Sequence, residues 1–215
     1  MESGLASMSV LLIVAVGLAL LWRRQLFRRR QRFIDVTGFG HAPDKRLREA
    51  YPELGDAQRE LIVSGLRDYF KVVSLAGKKG VSMPSQAVDE AWHALILDTR
   101  RYQLYCERAF GRFLHHVPAE SMQSPQQAQA GIRRCWKFAC KLEGISPQRP
   151  TRLPRLFAID TLLHIENGFR YSLDCSKGDS RSGYCAAHIG CSSGGSCISD
   201  ASGDSSGCSG GCGGD

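Results

Sequence analysis

Three histidines and one aspartate in the middle of the chain are the residues best suited to chemistry. Asp89 and His93 are four positions apart, so they would share one face of a helix. A carboxylate that accepts a hydrogen bond from one imidazole nitrogen fixes the tautomer and leaves the other nitrogen free to bind a metal or move a proton. The adjacent His115 and His116 follow a predicted helix, after which a turn could bring them back to His93. We therefore predict a metal site, suited to Zn²⁺ or another divalent ion, formed by Asp89, His93, His115 and His116.

The spacing of these residues is not a signature of a known metal site, and His-Glu-x-x-His does not occur. A second interpretation is a helical hairpin in which hydrogen bonds satisfy the histidines and the apolar neighbours form the core. Those core residues would be Trp92, Ile96, Tyr105 and Phe110. A third interpretation is a surface that binds a partner. Nucleotide hydrolysis is disfavoured, because the phosphate-binding pattern Gly-x-x-x-x-Gly-Lys-Ser/Thr is absent from the sequence.

The same region carries three short motifs. They are Asp-x-x-Trp-His from Asp89, Tyr-x-x-Tyr-Cys from Tyr102, and Phe110-Gly111 followed by His-His-x-Pro. With these motifs the segment 88–118 resembles the glycine-rich domain-containing protein-like family, and the resemblance extends in outline to 153–171. It implies a helical domain and no particular reaction.

Helical periodicity and capping residues predict an all-α domain that positions these side chains. Proline and glycine separate the helices, and Gly168–Leu173 is predicted to be extended. The predicted helices are Asp44–Tyr51, Asp56–Ala76 with Asp56 as cap, Gln86–Leu97 after Ser85, Arg100–Phe110 after Asp98 or Thr99, Pro125–Leu142 after Ser124, and a helix beginning within Leu156–Ile165.

The N-terminal segment Ser3–Trp22 predicts a membrane-spanning helix. It carries no charge over 20 residues, which as a helix is roughly 30 Å, the thickness of a bilayer's hydrocarbon core. Six arginines follow it, at positions 23, 24, 28, 29, 30 and 32. The positive-inside rule predicts that the arginine cluster and the C-terminal domain are cytoplasmic and the N-terminus outside. A cleaved signal peptide fits less well, because a signal peptide carries its positive charge before the apolar run, whereas here the arginines follow it.

The distribution of charge argues against nucleic-acid binding. The net charge is +7, but residues 1–32 hold six arginines and only one acid, Glu2. The remaining 183 residues hold 22 basic and 20 acidic groups. Because a nucleic-acid binder carries positive charge on its folded domain, the arginine cluster is better suited to anionic lipid headgroups.

The C-terminal segment is rich in Gly, Ser and Cys and has few large apolar residues, which predicts disorder. Six of the nine cysteines lie there, whereas Cys106, Cys135 and Cys140 fall in predicted helices and are expected to be buried. The tail could have no ligand, bind Zn²⁺ or Cu(I) through thiolates, or be a substrate of heterocycle-forming enzymes. A cytoplasmic tail should keep its thiols reduced.

The sequence thus predicts an all-α protein in four segments. They are a transmembrane anchor (1–22), a basic juxtamembrane linker (23–40), a helical domain (41–173) and a disordered Gly/Ser/Cys-rich tail (174–215). Two functional hypotheses remain open. One is a single-pass membrane-anchored module that binds a protein partner or assembles at the membrane, and the other is a metal-binding protein or metal-dependent enzyme.

Overall fold

The computed structural model describes residues 2–117, 125–173, 183–185 and 189. Within these residues the fold is all-α, as predicted, with one pair of very short strands. The elements are α1 Glu2–Val36, α2 Ala42–Ala50, α3 Asp56–Ala76, α4 Gln86–Leu97, α5 Thr99–Phe110, α6 Pro125–Leu142, α7 Arg155–Leu162, β1 Arg170–Ser172 and β2 Gly183–Cys185.

The ends of the central helices are set by capping groups. Ser85 precedes α4, and its hydroxyl accepts a hydrogen bond from Val88 N at 3.2 Å. Before α3 the cap is Gly55 rather than the expected Asp56, and Gln58 accepts from the Gly55 backbone N–H at 2.8 Å. Helix α5 ends at Gly111, whose φ of 69° is the left-handed conformation that glycine tolerates best.

Helix α1 does not end at the apolar run. The segment 23–40, expected to be a linker, is helical up to Val36. Ile34 near its end is fully buried, and the Phe33 ring packs 5.4 Å from the ring of Tyr105. The arginine-rich stretch is therefore part of a helix, and the opposite face of this helix packs into the domain core. Arginines are compatible with a helix, because only the exposed face of an amphipathic helix needs to be polar.

The core of the domain is built around Phe70, which is fully buried. Its ring lies 5.3 Å from Tyr105, 5.7 Å from Phe39 and Phe110, and 6.1 Å from Trp92, measured between centroids. These edge and tilted contacts join α3, α4 and α5 to the segment after α1. The helices that carry the predicted site are thus fixed by one aromatic cluster.

The limits of α7 and α2 depend on backbone conformation near their ends. Helix α7 covers Arg155–Leu162, so the segment 156–165 is helical at first, as predicted, and the helix stops before His164 and Asn167, which adopt left-handed φ angles of 54° and 60°. Helix α2 begins at Ala42, earlier than Asp44, with Pro43 in its first turn.

The extended segment predicted at Gly168–Leu173 contains β1, which pairs in parallel with β2. Tyr171 is in register with Tyr184. Of the predicted disordered tail, only Gly183–Cys185 and Ile189 are described, and Gly183–Cys185 form this strand. The rest of the tail, and the predicted Ser124 cap, lie outside the described residues.

The three helix cysteines are buried, as predicted, and their thiols are free. Burial raises the pKa of the Cys140 thiol to about 12 and also raises the pKa values of Cys106 and Cys135. Because the thiolate is the reactive form, these three side chains act as small apolar residues.

Candidate functional site

Asp89, His93 and His116 form a cluster, and one ligand atom from each lies within 4.8 Å of the others. His116 Nε2 is 2.9 Å from Asp89 Oδ1, and His93 Nε2 is 3.6 Å from Asp89 Oδ2. The two imidazole centroids are 4.6 Å apart. The structure therefore brings together three of the four residues that the sequence singled out.

His115 is the exception. Its ring packs edge-on against Phe113 at 4.8 Å and is exposed, while the neighbouring His116 side chain is only 14% exposed. The two neighbouring histidines therefore have different surroundings, and of the two it is His116 that lies beside Asp89 and His93. His115 is thus outside the cluster.

The environment of the cluster is partly open. His93 is 42% exposed and Asp89 20%. Glu90 Oε2 lies 3.8 Å from His93 Nδ1, and Glu90 Oε1 accepts from Arg46 Nε at 2.5 Å. On the inner side the Trp92 ring contacts His116 at 4.6 Å. The cluster thus contacts the Trp92 indole on one side, has the Glu90 carboxylate as an acidic neighbour, and is open to solvent on another side.

Hydrogen bonds among buried groups hold the segment that carries His116. Trp92 Nε1 donates to the Tyr102 hydroxyl at 3.0 Å, and this hydroxyl donates to the Leu114 carbonyl at 2.6 Å. Burial raises the pKa of Tyr102, so the hydroxyl remains a donor at all ordinary pH values. The segment after α5 is therefore fixed two residues before His116.

The start of α4 is fixed by Asp160, a residue that the sequence reasoning missed. The Asp160 carboxylate is 3% exposed and accepts from Ser85 Oγ at 2.6 Å and Gln86 N at 2.7 Å. It also accepts from Phe169 N at 2.9 Å and Ala87 N at 3.3 Å. The signal in the sequence is one acid inside the largely apolar run Leu156–Ile165. Buried carboxylates need such partners, so a lone acid there indicates an anchored helix terminus.

The chemistry open to this cluster is limited by its geometry. Nitrogen and oxygen ligands of a tetrahedral Zn²⁺ lie about 2.0–2.2 Å from the metal, which requires the three ligand atoms to be closer together than 4.8 Å. Binding such an ion would therefore require the His93 side chain, which is 42% exposed, to move toward the other two ligands. Without a metal, the Asp89–His116 hydrogen bond ties the segment after α5 to α4. The metal site stays a prediction.

Two clefts lie elsewhere, and neither is lined by Asp89, His93 or His116. The first, of about 440 Å³, is bounded by Phe33, Phe39 and the α5 face containing Tyr105. The Tyr105 hydroxyl is buried without a hydrogen-bond partner, and burial raises its pKa. The second cleft, of about 420 Å³, lies beside the arginine-rich part of α1. These two clefts are therefore separate from the His/Asp cluster.

Comparison with known proteins gives one family. The model of the UCP032817-like family matches residues 29–190, roughly three-quarters of the chain. No curated protein and no solved structure matches this chain. Nothing in the match shows a glycine-rich domain, so the comparison supports membership of an uncharacterised family and no more. The matched region begins inside α1 and includes both β1 and β2. The chain belongs to the UCP032817-like family.

Proposed function

We propose that this protein is a single-pass membrane-anchored helical module that binds a protein partner or assembles at the cytoplasmic face of a membrane. The observation that carries the proposal is the single uninterrupted helix α1. Its large apolar side chains from Met8 to Trp22 are 51–70% exposed, while Ile34 on the same helix is fully buried in the domain. One helix therefore presents an apolar surface that the domain leaves uncovered and a second surface that the domain covers.

The length and composition of α1 support the anchor. In the described part of the chain it is long and apolar enough to cross a membrane. A signal sequence passes the same test, but the arginines follow the apolar run and the helix continues into the core. Cleavage after position 22 would remove the apolar part of α1 and leave only Arg23–Val36 packed against the domain. The positive-inside rule supports a cytoplasmic domain.

The continuity of α1 also supports a fixed position for the domain. Between Trp22 and Ile34 the helix rises about 18 Å, at 1.5 Å per residue. Asp35 near its end forms an ion pair with Lys71 of α3. A domain attached in this way is held close to the headgroup region instead of moving on a flexible tether, which suits a module that meets its partners at the membrane.

Carbonate extraction of cell membranes tests the anchor. Replacing Leu12 and Val16 with arginine changes the free energy of insertion by about 6–8 kcal/mol, which exceeds the roughly 3–6 kcal/mol gained by the ten Leu, Ile and Val side chains of the apolar run. We expect the wild-type chain in the pellet and the L12R/V16R chain in the supernatant. The matched control, V36R/L97R, adds the same charge at exposed positions outside the span and should stay in the pellet. Wild-type chain in the supernatant would refute the anchor.

A second candidate function is binding of a divalent transition metal by Asp89, His93 and His116. The proximity of three ligand atoms within 4.8 Å supports it. We propose two imidazoles and one carboxylate as the ligands, a set suited to Zn²⁺. Glu90 beside His93 is placed to orient that ring from outside.

Titration with Co²⁺ of the full chain in detergent tests this site, because Co²⁺ bound by nitrogen and oxygen absorbs differently from Co²⁺ bound by thiolates of the tail. We expect one non-thiolate equivalent in the wild type, its loss in H93A and H116A, and its retention in the matched control H115A. The candidate function is discarded if H93A and H115A bind equally.

A further inference from the structure

The second cleft, which we call the basal cleft, lies at the point where the apolar run of α1 ends. It has a volume of about 420 Å³ and lies between α1 and the C-terminal ends of α3 and α5. The residues that matter for its chemistry are two aromatic and four basic side chains. They are Trp22, Arg23, Phe27, Arg30, Lys78 and Arg112.

The basic residues of the cleft carry no acidic partner in the described part of the chain. None of Arg23, Arg30, Lys78 and Arg112 forms a salt bridge with a described carboxylate. Arg23 and Arg30 are seven residues apart and therefore lie on the same face of α1. Four positive charges thus converge on one concave surface.

Nearby helix termini neutralise only part of this positive charge. The ends of α3 and α5 each present the equivalent of about −0.5 charge, and Arg112 Nη2 donates to the Gly77 carbonyl at the end of α3 at 2.8 Å. Against four cations, these two helix ends leave a surplus of about +3. A surplus of positive charge of that size next to an apolar helix is typical of an anion-binding site, because unpaired cations repel one another unless a counterion lies between them.

The floor of the basal cleft is fitted to an arginine. The Arg30 guanidinium lies directly over Gly111, and a Cβ atom at that position would meet Arg30 Nη2 at 2.1 Å. Gly111 also ends α5 in the left-handed conformation. The lack of a side chain at Gly111 therefore allows both the left-handed end of α5 and the close approach of the guanidinium. The planar N–H donors of a guanidinium suit phosphate oxygens.

We propose that the basal cleft binds the phosphate-bearing headgroup of an anionic phospholipid in the leaflet that faces the domain. This inference rests on the proposed membrane anchor. Trp22 and Phe27 are amphipathic or apolar groups at the expected depth of the headgroups, where tryptophan is enriched. The four basic groups lie beside them, so acyl chains would contact the aromatic rim and the phosphate the cations. Because Lys78 and Arg112 come from the domain and Arg23 and Arg30 from α1, a bound headgroup bridges anchor and domain.

Native mass spectrometry of the full chain in detergent tests the proposal with phosphatidylglycerol, phosphatidylcholine and inorganic phosphate as probes. We expect one phosphatidylglycerol to bind tightly and phosphatidylcholine to bind weakly. The K78Q/R112Q variant should lose roughly thirtyfold in affinity, or about fivefold for each cation removed. K141Q/R149Q, at exposed positions outside the cleft, makes the same change in net charge and should bind as the wild type does.

Three outcomes overturn the proposal. Equal loss of affinity in the two double variants would show charge attraction without a site, and equal binding of both lipids would remove the headgroup as the recognised element. Displacement of phosphatidylglycerol by millimolar inorganic phosphate would identify a soluble anion as the ligand instead of a lipid. Lys78 is exposed, so K78Q alone should lose about fivefold even if R112Q disturbs the turn at Gly77. Both substitutions lie outside α1, so carbonate extraction reports the anchor separately from the binding.

Discussion

The Asp160 carboxylate provides the most direct test of how the domain is held together. It is 3% exposed and accepts hydrogen bonds from the Ser85 hydroxyl and from three backbone N–H groups. Two of these N–H groups belong to the first turn of α4, which carries Asp89 and His93, and the third belongs to Phe169. Loss of the carboxylate therefore releases both α4 and the segment leading into β1.

The magnitude follows from the number of donors left without an acceptor. A hydrogen bond to a charged group is worth about 1.5–3 kcal/mol, and a buried unsatisfied donor costs about 1–3 kcal/mol. Since such effects are not additive, we expect Asp160→Ala to lower the free energy of unfolding by about 4 kcal/mol. Asp160→Asn keeps one acceptor oxygen, which can face Gln86 N and Phe169 N, and should cost about 2 kcal/mol.

The assay is thermal unfolding of the full chain in detergent, followed by circular dichroism. At about 2–4 °C per kcal/mol for a chain of this size, Asp160→Ala should lower Tm by roughly 8–16 °C and Asp160→Asn by roughly 4–8 °C. Asp98→Ala is the matched control, because Asp98 caps α5 from an exposed position, where it accepts from Arg101 N at 3.3 Å and forms an exposed ion pair with Arg101 Nε at 3.5 Å. That change should cost about 1 kcal/mol. The reasoning is refuted if Asp160→Ala costs no more than Asp98→Ala.

Two further predictions concern packing and pH. Gly65→Ala should destabilise the domain by about 1–2 kcal/mol despite the better helix propensity of alanine, because its Cβ would lie 2.3 Å from Ile159 Cδ1 and 3.0 Å from Val88 Cγ2. Urea unfolding should show this loss and almost none for Gly80→Ala, where the space is open; equal effects would contradict the packing argument. Burial raises the pKa of Tyr51 from its ordinary value of 10.0 to about 12, so its contribution to stability is complete below pH 10 and is lost as pH rises through 12. Unfolding measured across that window should show a shallower alkaline loss in Tyr51→Phe, and an unchanged slope would contradict the assignment.

Local signals were sufficient to predict the helices of the domain. The bounds predicted for α4, Gln86–Leu97, and the end predicted for α3 at Ala76 agree with the structure, and the start of α3 differs by one residue. Both helices have clear apolar periodicity, and a serine or glycine sits at one end of each, so neighbouring residues decide their limits. Helix α7 was less predictable, because its last turn is replaced by left-handed residues such as His164 and the sequence has no glycine there.

The parts of the candidate site that depend on distant residues could not be predicted. His115 and His116 are adjacent, so only the direction of the chain after α5 decides which of them faces α4. That direction is fixed by the buried hydrogen bond from Tyr102 to the Leu114 carbonyl, which pattern reasoning does not see. The same holds for Asp160, whose partners on α4 lie more than 70 positions away in sequence. Local periodicity carries no information about such long-range contacts.

The continuation of α1 through the arginine cluster shows why charge composition is a poor guide to a linker. Arginine is a good helix former. The arginines within 23–32 therefore do not interrupt the helix, which continues to the apolar residues near Ile34. A linker prediction from charge alone overlooks the buried face. This continuity links the membrane anchor, the basal cleft and the position of the domain.

Protease protection in sealed membrane vesicles tests the central proposal most directly, with one epitope tag at each end of the full chain. In vesicles with the cytoplasmic face outward, we expect the protease to remove the C-terminal tag and the domain while the N-terminal tag remains protected. Detergent should make the N-terminal tag accessible as well. Digestion of both tags in intact vesicles, or protection of both, would contradict a single span that begins in the first residues and ends at the arginine cluster.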